Sequence, residues 1–280
     1  MKNILITGSN GYIGSYLVPK LKKKRGYCIF EAIRENGCNL AQDNWVKNIP
    51  RRNFDVIIHL AQSKQYRHFP QGAVDIFNVN VRATFELLEW GRLHGVKRFI
   101  FSSTGNVYPL QKRKVVETNP CIPGSMYAVS KLCAEHLIRQ YSSFFEACIL
   151  RIFSVYGPGQ QDNLISNIID RVKKNKSIVL TGNKGIVLTP LFISDCVGAI
   201  EKFICAHLIN REFICNLAGD ELISLAEIVS HITSMLQCKS QIRITNQRSL
   251  WLCADNTLMR KFYKPKTRIN PGLRRAIYGK

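Results

Sequence analysis

The sequence predicts a doubly wound α/β fold with a mostly parallel central sheet, and three observations predict it. An apolar run, Lys2 to Thr7, leads through a turn with three glycines into an amphipathic stretch that ends at Lys24. Short strand-like runs recur at Tyr27 to Ile33, Phe54 to Leu60, Arg98 to Ser103 and Ala147 to Phe153. Helix-compatible patterns fill Val74 to His94 and Met126 to Phe144 between them. Strands separated by helix-length periodic segments are what consecutive βαβ units produce.

The first run is continuously apolar through Ile4, Leu5 and Ile6, as a strand covered on both faces requires. The turn that follows reads Gly8-Ser9-Asn10-Gly11-Tyr12-Ile13-Gly14. Gly8 permits a tight bend, Gly11 lets backbone approach a pyrophosphate, and Gly14 allows the helix to pack closely on the strand. The helix start supplies amide donors and a favourable dipole. The spacing is G-x-x-G-x-x-G rather than G-x-G-x-x-G, but the strand, turn and helix context is that of a dinucleotide site.

The second run bears on which dinucleotide. Aligned by its apolar residues, it puts Ile33 where an acidic residue usually meets the adenosine ribose, with Arg34 beside it, and an arginine there accommodates a 2′-phosphate. This favours NADP over NAD; a strand two residues shorter makes Glu31 the ribose ligand and reverses the preference. Later, Tyr127 and Lys131 stand one helical turn apart and so share a face. A free tyrosine titrates near pH 10, too high for a base at neutral pH, and Lys131 can supply the positive charge that favours phenolate. Beyond about residue 155 the elements shorten, so the chain is divided into residues 1–155, which bind the dinucleotide, and 156–280, which close over the crevice.

Composition bounds the class. The chain has 280 residues, enough for a substantial core, and 46% of them are hydrophobic. No apolar run approaches the roughly 18 residues of a membrane span, and the first strand occupies the position of a signal peptide, so a cytoplasmic location with no membrane partner is expected. The ten cysteines include no Cys-x-x-Cys pair and mostly lie in apolar runs, which reads as reduced core thiols with no metal. The net charge of +21 is scattered, with short clusters at 22–25, 112–114 and 173–176 and no interleaved aromatics, so no nucleic-acid partner is expected.

These residues together carry a resemblance. The chain resembles the extended short-chain dehydrogenases/reductases of the sugar-nucleotide epimerase/dehydratase family over nearly its whole length. Gly8 to Gly14 is similar to the family's glycine turn, Asp55-Val-Ile-Ile-His-Leu-Ala61 to its next strand, and Asn80-Val-Arg-Ala-Thr84 to the helix after it. Phe101-Ser-Ser-Thr104 with Val107-Tyr108, Ser125-Met-Tyr-Ala-Val-Ser-Lys131 with Glu135, and Leu150-Arg-Ile-Phe-Ser-Val-Tyr-Gly-Pro-Gly159 follow in the family's order. The resemblance implies a Rossmann-like fold with a smaller C-terminal substrate-binding region. It implies NADP or NAD held by Gly8, Asn10, Gly11, Tyr12, Ile13, Gly14, Arg34, Asn39, Leu60, Ala61, Lys64, Asn80, Tyr127 and Lys131. Catalysis falls to Tyr127, Lys131 and Thr104, the last chosen over Ser102 and Ser103 by register, and a nucleotide sugar is expected on Thr104, Ser154, Asn163, Leu164 and Arg248.

Departures from the family pattern narrow the reaction. Gly105 and Asn106 stand where its dehydratases carry Asp-Glu, which leaves reduction of a 4-keto sugar nucleotide or 4-epimerisation. The NADP-leaning strand end and the short chain favour the reductase, with an NAD-dependent 4-epimerase as the alternative. Intact Thr104, Tyr127 and Lys131 argue against a non-catalytic dinucleotide sensor. Ser154 replaces a common Asn and Thr189 a common phosphate-binding Arg. The resemblance also implies a homodimer packed on the helix after Asn80 and the Tyr127 helix, whose apolar residues Phe85, Leu87, Leu88, Trp90, Leu132, Leu137, Ile138 and Tyr141 exceed the need of one face.

Overall fold

The structure is a computed structural model and describes residues 1–279. The chain forms two compact units, and neither is a single stretch. The first joins Met1–Pro109, Pro120–Arg151 and Ile200–Cys215; the second joins Leu110–Asn119, Ile152–Ala199 and the chain from Asn216 onward. Reading from sequence placed one cut after residue 155 and did not register the return of 200–215.

The first unit is built around a six-stranded sheet. Its strands are β1 (Lys2–Thr7), β2 (Tyr27–Ala32), β3 (Val56–His59), β4 (Arg98–Thr104), β5 (Glu146–Ile152) and β6 (Glu212–Leu217), in the order β6-β5-β4-β3-β1-β2. β1 pairs in parallel with both β2 and β3, so that Ile6 lies between Glu31 and Ile58, and β3 pairs in parallel with β4. The chain therefore winds first to one side of β1 and then to the other. The crevice this opens beyond the carboxyl ends of β1 and β3 is where ligands bind in open α/β sheets.

Burial explains the run of apolar residues. Leu5, Ile57, Phe99, Phe101 and Ile149 from the strands pack against Leu87, Leu88, Trp90, Ala134 and Ile138 from helices. Full burial of one such side chain stabilises the fold by about 1.5–3 kcal/mol. The helices are α1 (Tyr12–Lys22), α2 (Ala73–Phe77), α3 (Ala83–Leu93) and α4 (Met126–Gln140). The single helix expected over 74–94 is interrupted by a π-helical turn at Asn78–Arg82. That wider turn carries Asn80, which is buried and bonded on both sides, as described below. α4 ends at Gln140 rather than Phe144 because Tyr141–Ser143 tighten into a 3-10 turn.

In the second unit, short pairings replace the large sheet. Val155–Tyr156 runs parallel to Leu191–Phe192, Ile178–Thr181 runs parallel to Ile242–Thr245, and Val187–Leu188 pairs with both Ile223–Ser224 and Trp251–Leu252. Buried Asp195 ties in the C-terminal segment, accepting from Tyr263 Oη at 2.8 Å and from the backbone N–H groups of Lys266 and Thr267 at 3.1 and 2.9 Å. Among the described residues none of the ten cysteines is in a disulfide; five are buried, and Cys133 and Cys205 are exposed. Among the described residues no helix is long and apolar enough to cross a membrane.

Candidate active site

Two of the three glycines in the turn, Gly8 and Gly14, have no room for a side chain. Gly8, directly after β1, has φ of +71°, and a Cβ on it would lie 2.6 Å from the backbone nitrogen of Ala61 at the exit of β3. A Cβ on Gly14 would lie 2.3 Å from the Gly8 carbonyl oxygen. Gly11 is exposed and caps α1, and a Cβ there would meet only the Gly8 oxygen at 3.1 Å. No side chain caps this helix start and no acidic residue occupies its first turn. An uncapped, uncompensated helix N-terminus behind a bare backbone turn fits the pyrophosphate of a dinucleotide. Asn10 is exposed, while Tyr12 and Ile13 are half-buried.

β2 stops at Ala32, one residue earlier than expected, because Ile33 caps a 3-10 turn over Arg34–Asn36. The Asn36 amide donates to the Glu31 carbonyl at 2.6 Å and its oxygen accepts from the Ile33 N–H at 3.1 Å. Arg34 is exposed just past the strand. The Glu31 carboxylate is engaged by Lys22 at 2.7 Å, which holds it below the usual carboxylate range. Asn39 is half-buried and turns its side-chain oxygen to the Ala41 N–H at 3.3 Å; Lys64 is exposed.

Thr104 closes β4 and is buried, and its hydroxyl accepts from the Asn106 N–H at 3.2 Å. Ser125 caps α4 through the Ala128 N–H at 3.2 Å, which places Tyr127 in the first helical turn. Thr104 hydrogen-bonds the Tyr127 phenol, and that phenol donates to Gln62 Oε1 at 3.1 Å. Burial pushes Tyr127 up to about 12, against the lowering effect of Thr104. Lys131 is buried, with Nζ 4.0 Å from the Phe101 ring centroid, and burial pushes it down to about 7 although Glu135 pulls the other way. The ammonium therefore sits on the Phe101 face, and the phenol on its own is not made acidic.

Together with the expected Leu60, Ala61 and Asn80, residues assigned no role from sequence hold this arrangement. His59 is fully buried, with Nδ1 2.6 Å from Thr7 Oγ1 and Nε2 3.0 Å from Thr84 Oγ1. Thr84 donates to the Asn80 carbonyl at 2.8 Å, so it accepts from Nε2–H, and burial followed by repulsion from Lys131 pushes His59 down to about 3. Asn80 is a strut: its side-chain oxygen accepts from the Ser63 N–H at 2.8 Å and its amide donates to Ser130 Oγ at 2.9 Å. Ser103 donates to Glu135, which Arg151 also grips. Half-buried Leu60 and Ala61 carry the chain from β3 into this segment.

Of the expected substrate residues, Thr104 lies in the first unit, and Ser154, Asn163, Leu164 and Arg248 belong to the second. Ser154 adopts φ of +38°, a left-handed conformation that Asn tolerates better than Ser. Asn163 caps the helix Leu164–Lys173 and its amide reaches the Val155 carbonyl at 3.3 Å. Arg248 is exposed. Thr189 is fully buried, its hydroxyl accepting from the Ala254 N–H at 3.1 Å, so it serves the packing of this unit rather than offering a cation.

Known proteins resemble this chain along nearly all of it. An uncharacterized UDP-glucose epimerase, YtcB of Bacillus subtilis (strain 168), is 29% identical, covering 98% of this chain and 96% of its own. GDP-6-deoxy-D-talose 4-dehydrogenase of Aggregatibacter actinomycetemcomitans is also 29% identical, over 82% of this chain and 80% of its own. The solved structure of MoeE5 in complex with UDP-glucuronic acid and NAD superposes with a TM-score of 0.83 at 25% identity, covering 98% of this chain and 97% of that one. The family model for NAD-dependent epimerases/dehydratases matches residues 4–214. With its glycine turn, doubly wound sheet and these matches, the chain belongs to the NAD-dependent epimerase/dehydratase family of enzymes.

Proposed function

We propose that this protein is an NAD-dependent 4-epimerase of a nucleotide-activated sugar. The observation that carries the reading is the Tyr127 phenol, hydrogen-bonded by Thr104 at the end of β4, on the helix that bears Lys131 and in the unit that holds the glycine turn. When bound, the dinucleotide supplies the hydride acceptor and donor, and its oxidised ring adds the positive charge that favours phenolate. Tyr127 takes the proton from the C4 hydroxyl and returns it after the keto sugar has turned over. Thr104 orients that exchange by donating a hydrogen bond. Burial brings Lys131 down to about 7, so it is charged in part at neutral pH, and its protonated form adds positive charge one helical turn from the phenol.

Gly105 and Asn106 offer no acid and base beside Thr104, which supports hydride exchange alone over elimination of water. The names of the relatives favour epimerisation over the reduction expected from sequence, and the NAD and UDP-sugars held by MoeE5 support a UDP-sugar substrate. Ser154, Asn163, Leu164 and Arg248 are assigned to that substrate, and Gly8, Asn10, Gly11, Tyr12, Ile13, Gly14, Leu60, Ala61, Lys64 and Asn80 to the cofactor. A second reading, an NADP-dependent ketoreductase, rests on exposed Arg34 beyond a Glu31 already paired with Lys22.

The homodimer is proposed on a revised surface. Leu87, Leu88, Trp90 and Ile138 are buried in the unit's own core, whereas Phe85, Leu93, Val129 and Phe144 remain 39–67% exposed. Sedimentation at micromolar concentration should give a dimer that Phe85→Glu weakens; a wild-type monomer would remove the proposal.

The choice of reaction is tested by denaturing the freshly purified protein and identifying released dinucleotide by mass spectrometry. Retained NAD in near-stoichiometric amount is expected. An empty protein that binds NADPH in titration would favour the reductase, and binding of neither would count against both.

A further inference from the structure

The reacting phenol is served from two directions. The Asn106 N–H fills one acceptor position on Thr104 Oγ1 at 3.2 Å, and the hydroxyl hydrogen of Thr104 is free to reach Tyr127. The phenol's own hydrogen then needs an acceptor. Gln62 Oε1 provides it at 3.1 Å, from the segment that leaves β3, where Tyr66 also packs its ring 5.1 Å from that of Tyr127. Among the described residues Tyr127 is the only hydrogen-bond partner of Gln62, whose side chain is exposed and so can rotate. Of the other groups near the phenol, Thr104 carries no charge, Tyr66 meets it through its ring, and Lys131 on the same helix is turned to Phe101.

A carboxamide presents an acceptor at one end and a donor at the other. Oε1 suits a phenol, and Nε2 suits a phenolate. We infer that Gln62 hydrogen-bonds the Tyr127 oxygen in both of its protonation states, its carboxamide turning over as the proton leaves for the substrate oxygen and comes back. The inference rests on the proton-transfer role proposed for Tyr127. An epimerase uses Tyr127 as base and as acid in every cycle, and a partner that serves both forms orders each without favouring either. The proton passes only between Tyr127 and the substrate.

A polyfluorinated tyrosine at position 127, more acidic than tyrosine itself, brings the titration into the range where the chain stays folded. It can be followed by fluorine NMR, with circular dichroism as the check on folding. In that protein Gln62→Glu, which accepts but cannot donate and adds negative charge, should raise the pKa by about one unit or more, and Gln62→Lys should lower it by about as much. Gln62→Met serves neither form and should leave it within about half a unit. Unmoved titrations in the Glu and Lys variants would place Gln62 away from the phenol and overturn the inference. A shift of about one unit in the Met variant would overturn it too, since the amide would then serve one form only. The titration needs neither cofactor nor substrate, so it is separate from the catalytic reading, which Tyr127→Phe with full turnover would defeat on its own.

Discussion

Arg151 and Glu135 form a buried ion pair behind the catalytic helix. The guanidinium reaches the carboxylate through Nε at 3.1 Å and Nη2 at 2.7 Å, and its Nη1 donates to Tyr108 Oη at 2.6 Å. Both residues are 5% exposed or less, so each charge depends on the other for what water would otherwise supply. The pair joins β5 to α4 in the turn after Lys131, and Ser103 hangs from the same carboxylate.

Removing one partner strands the other. Glu135→Ala should cost about 3–5 kcal/mol in urea unfolding, whereas replacing both partners by apolar residues of similar volume should recover much of that loss. Equal losses in the single and double variants would show that the pair contributes through packing alone.

His59 and Lys131 give stability a definite pH dependence. Both are held below their ordinary values, to about 3 from 6.5 and to about 7 from 10.5. Across each window the folded state binds fewer protons than the unfolded chain, so stability rises with pH from about 3 to 6.5 through His59 and from about 7 to 10.5 through Lys131. The slope for one such group approaches about 1.4 kcal/mol per pH unit. His59→Gln should flatten the acid window and Lys131→Met the alkaline one, as read by urea midpoints across pH. Unchanged slopes would contradict the buried, neutral state of these groups.

The glycines of the turn should separate folding from binding. Gly14→Ala forces a Cβ to 2.3 Å from the Gly8 carbonyl and should lower the melting temperature. Gly11→Ala meets only the Gly8 oxygen at 3.1 Å, so it should leave the melting temperature within a few degrees while weakening NAD binding, by about tenfold or more, through lost backbone approach. Calorimetric titration with NAD alongside thermal melts distinguishes the two.

Proton transfer should fail without loss of fold. Tyr127→Phe should lower kcat by about a hundredfold to ten-thousandfold, and Thr104→Val by less, because it removes an orienting hydrogen bond rather than the acid. Turnover of the Phe variant within a few fold of wild type would end the role given to Tyr127.

What was legible in the sequence was what leaves a local mark. Gly8, Gly11 and Gly14 announce the turn by spacing, Tyr127 and Lys131 share a helix face, and Thr104 closes a strand whose centre is the apolar run Phe99-Ile100-Phe101. The rest depends on partners far along the chain. β6 returns to the sheet only after the chain has built much of the second unit, and its residues resemble those of any short strand. His59 meets Thr7 across 52 residues, and Gln62 meets Tyr127 across 65, with no periodicity to reveal either. Leu87 and Trp90, three residues apart, share the core face while Phe85 lies off it and is exposed, a distinction that the dimer surface implied by the resemblance does not draw.

The most direct measurement incubates the purified protein with UDP-glucose, and separately with UDP-glucuronic acid, in the presence of NAD far below the sugar concentration. NMR follows the configuration at C4. The account predicts accumulation of the C4 epimer to equilibrium through many turnovers, with no net change in dinucleotide absorbance. Product that forms only in proportion to added NADPH, from a keto sugar, would contradict it.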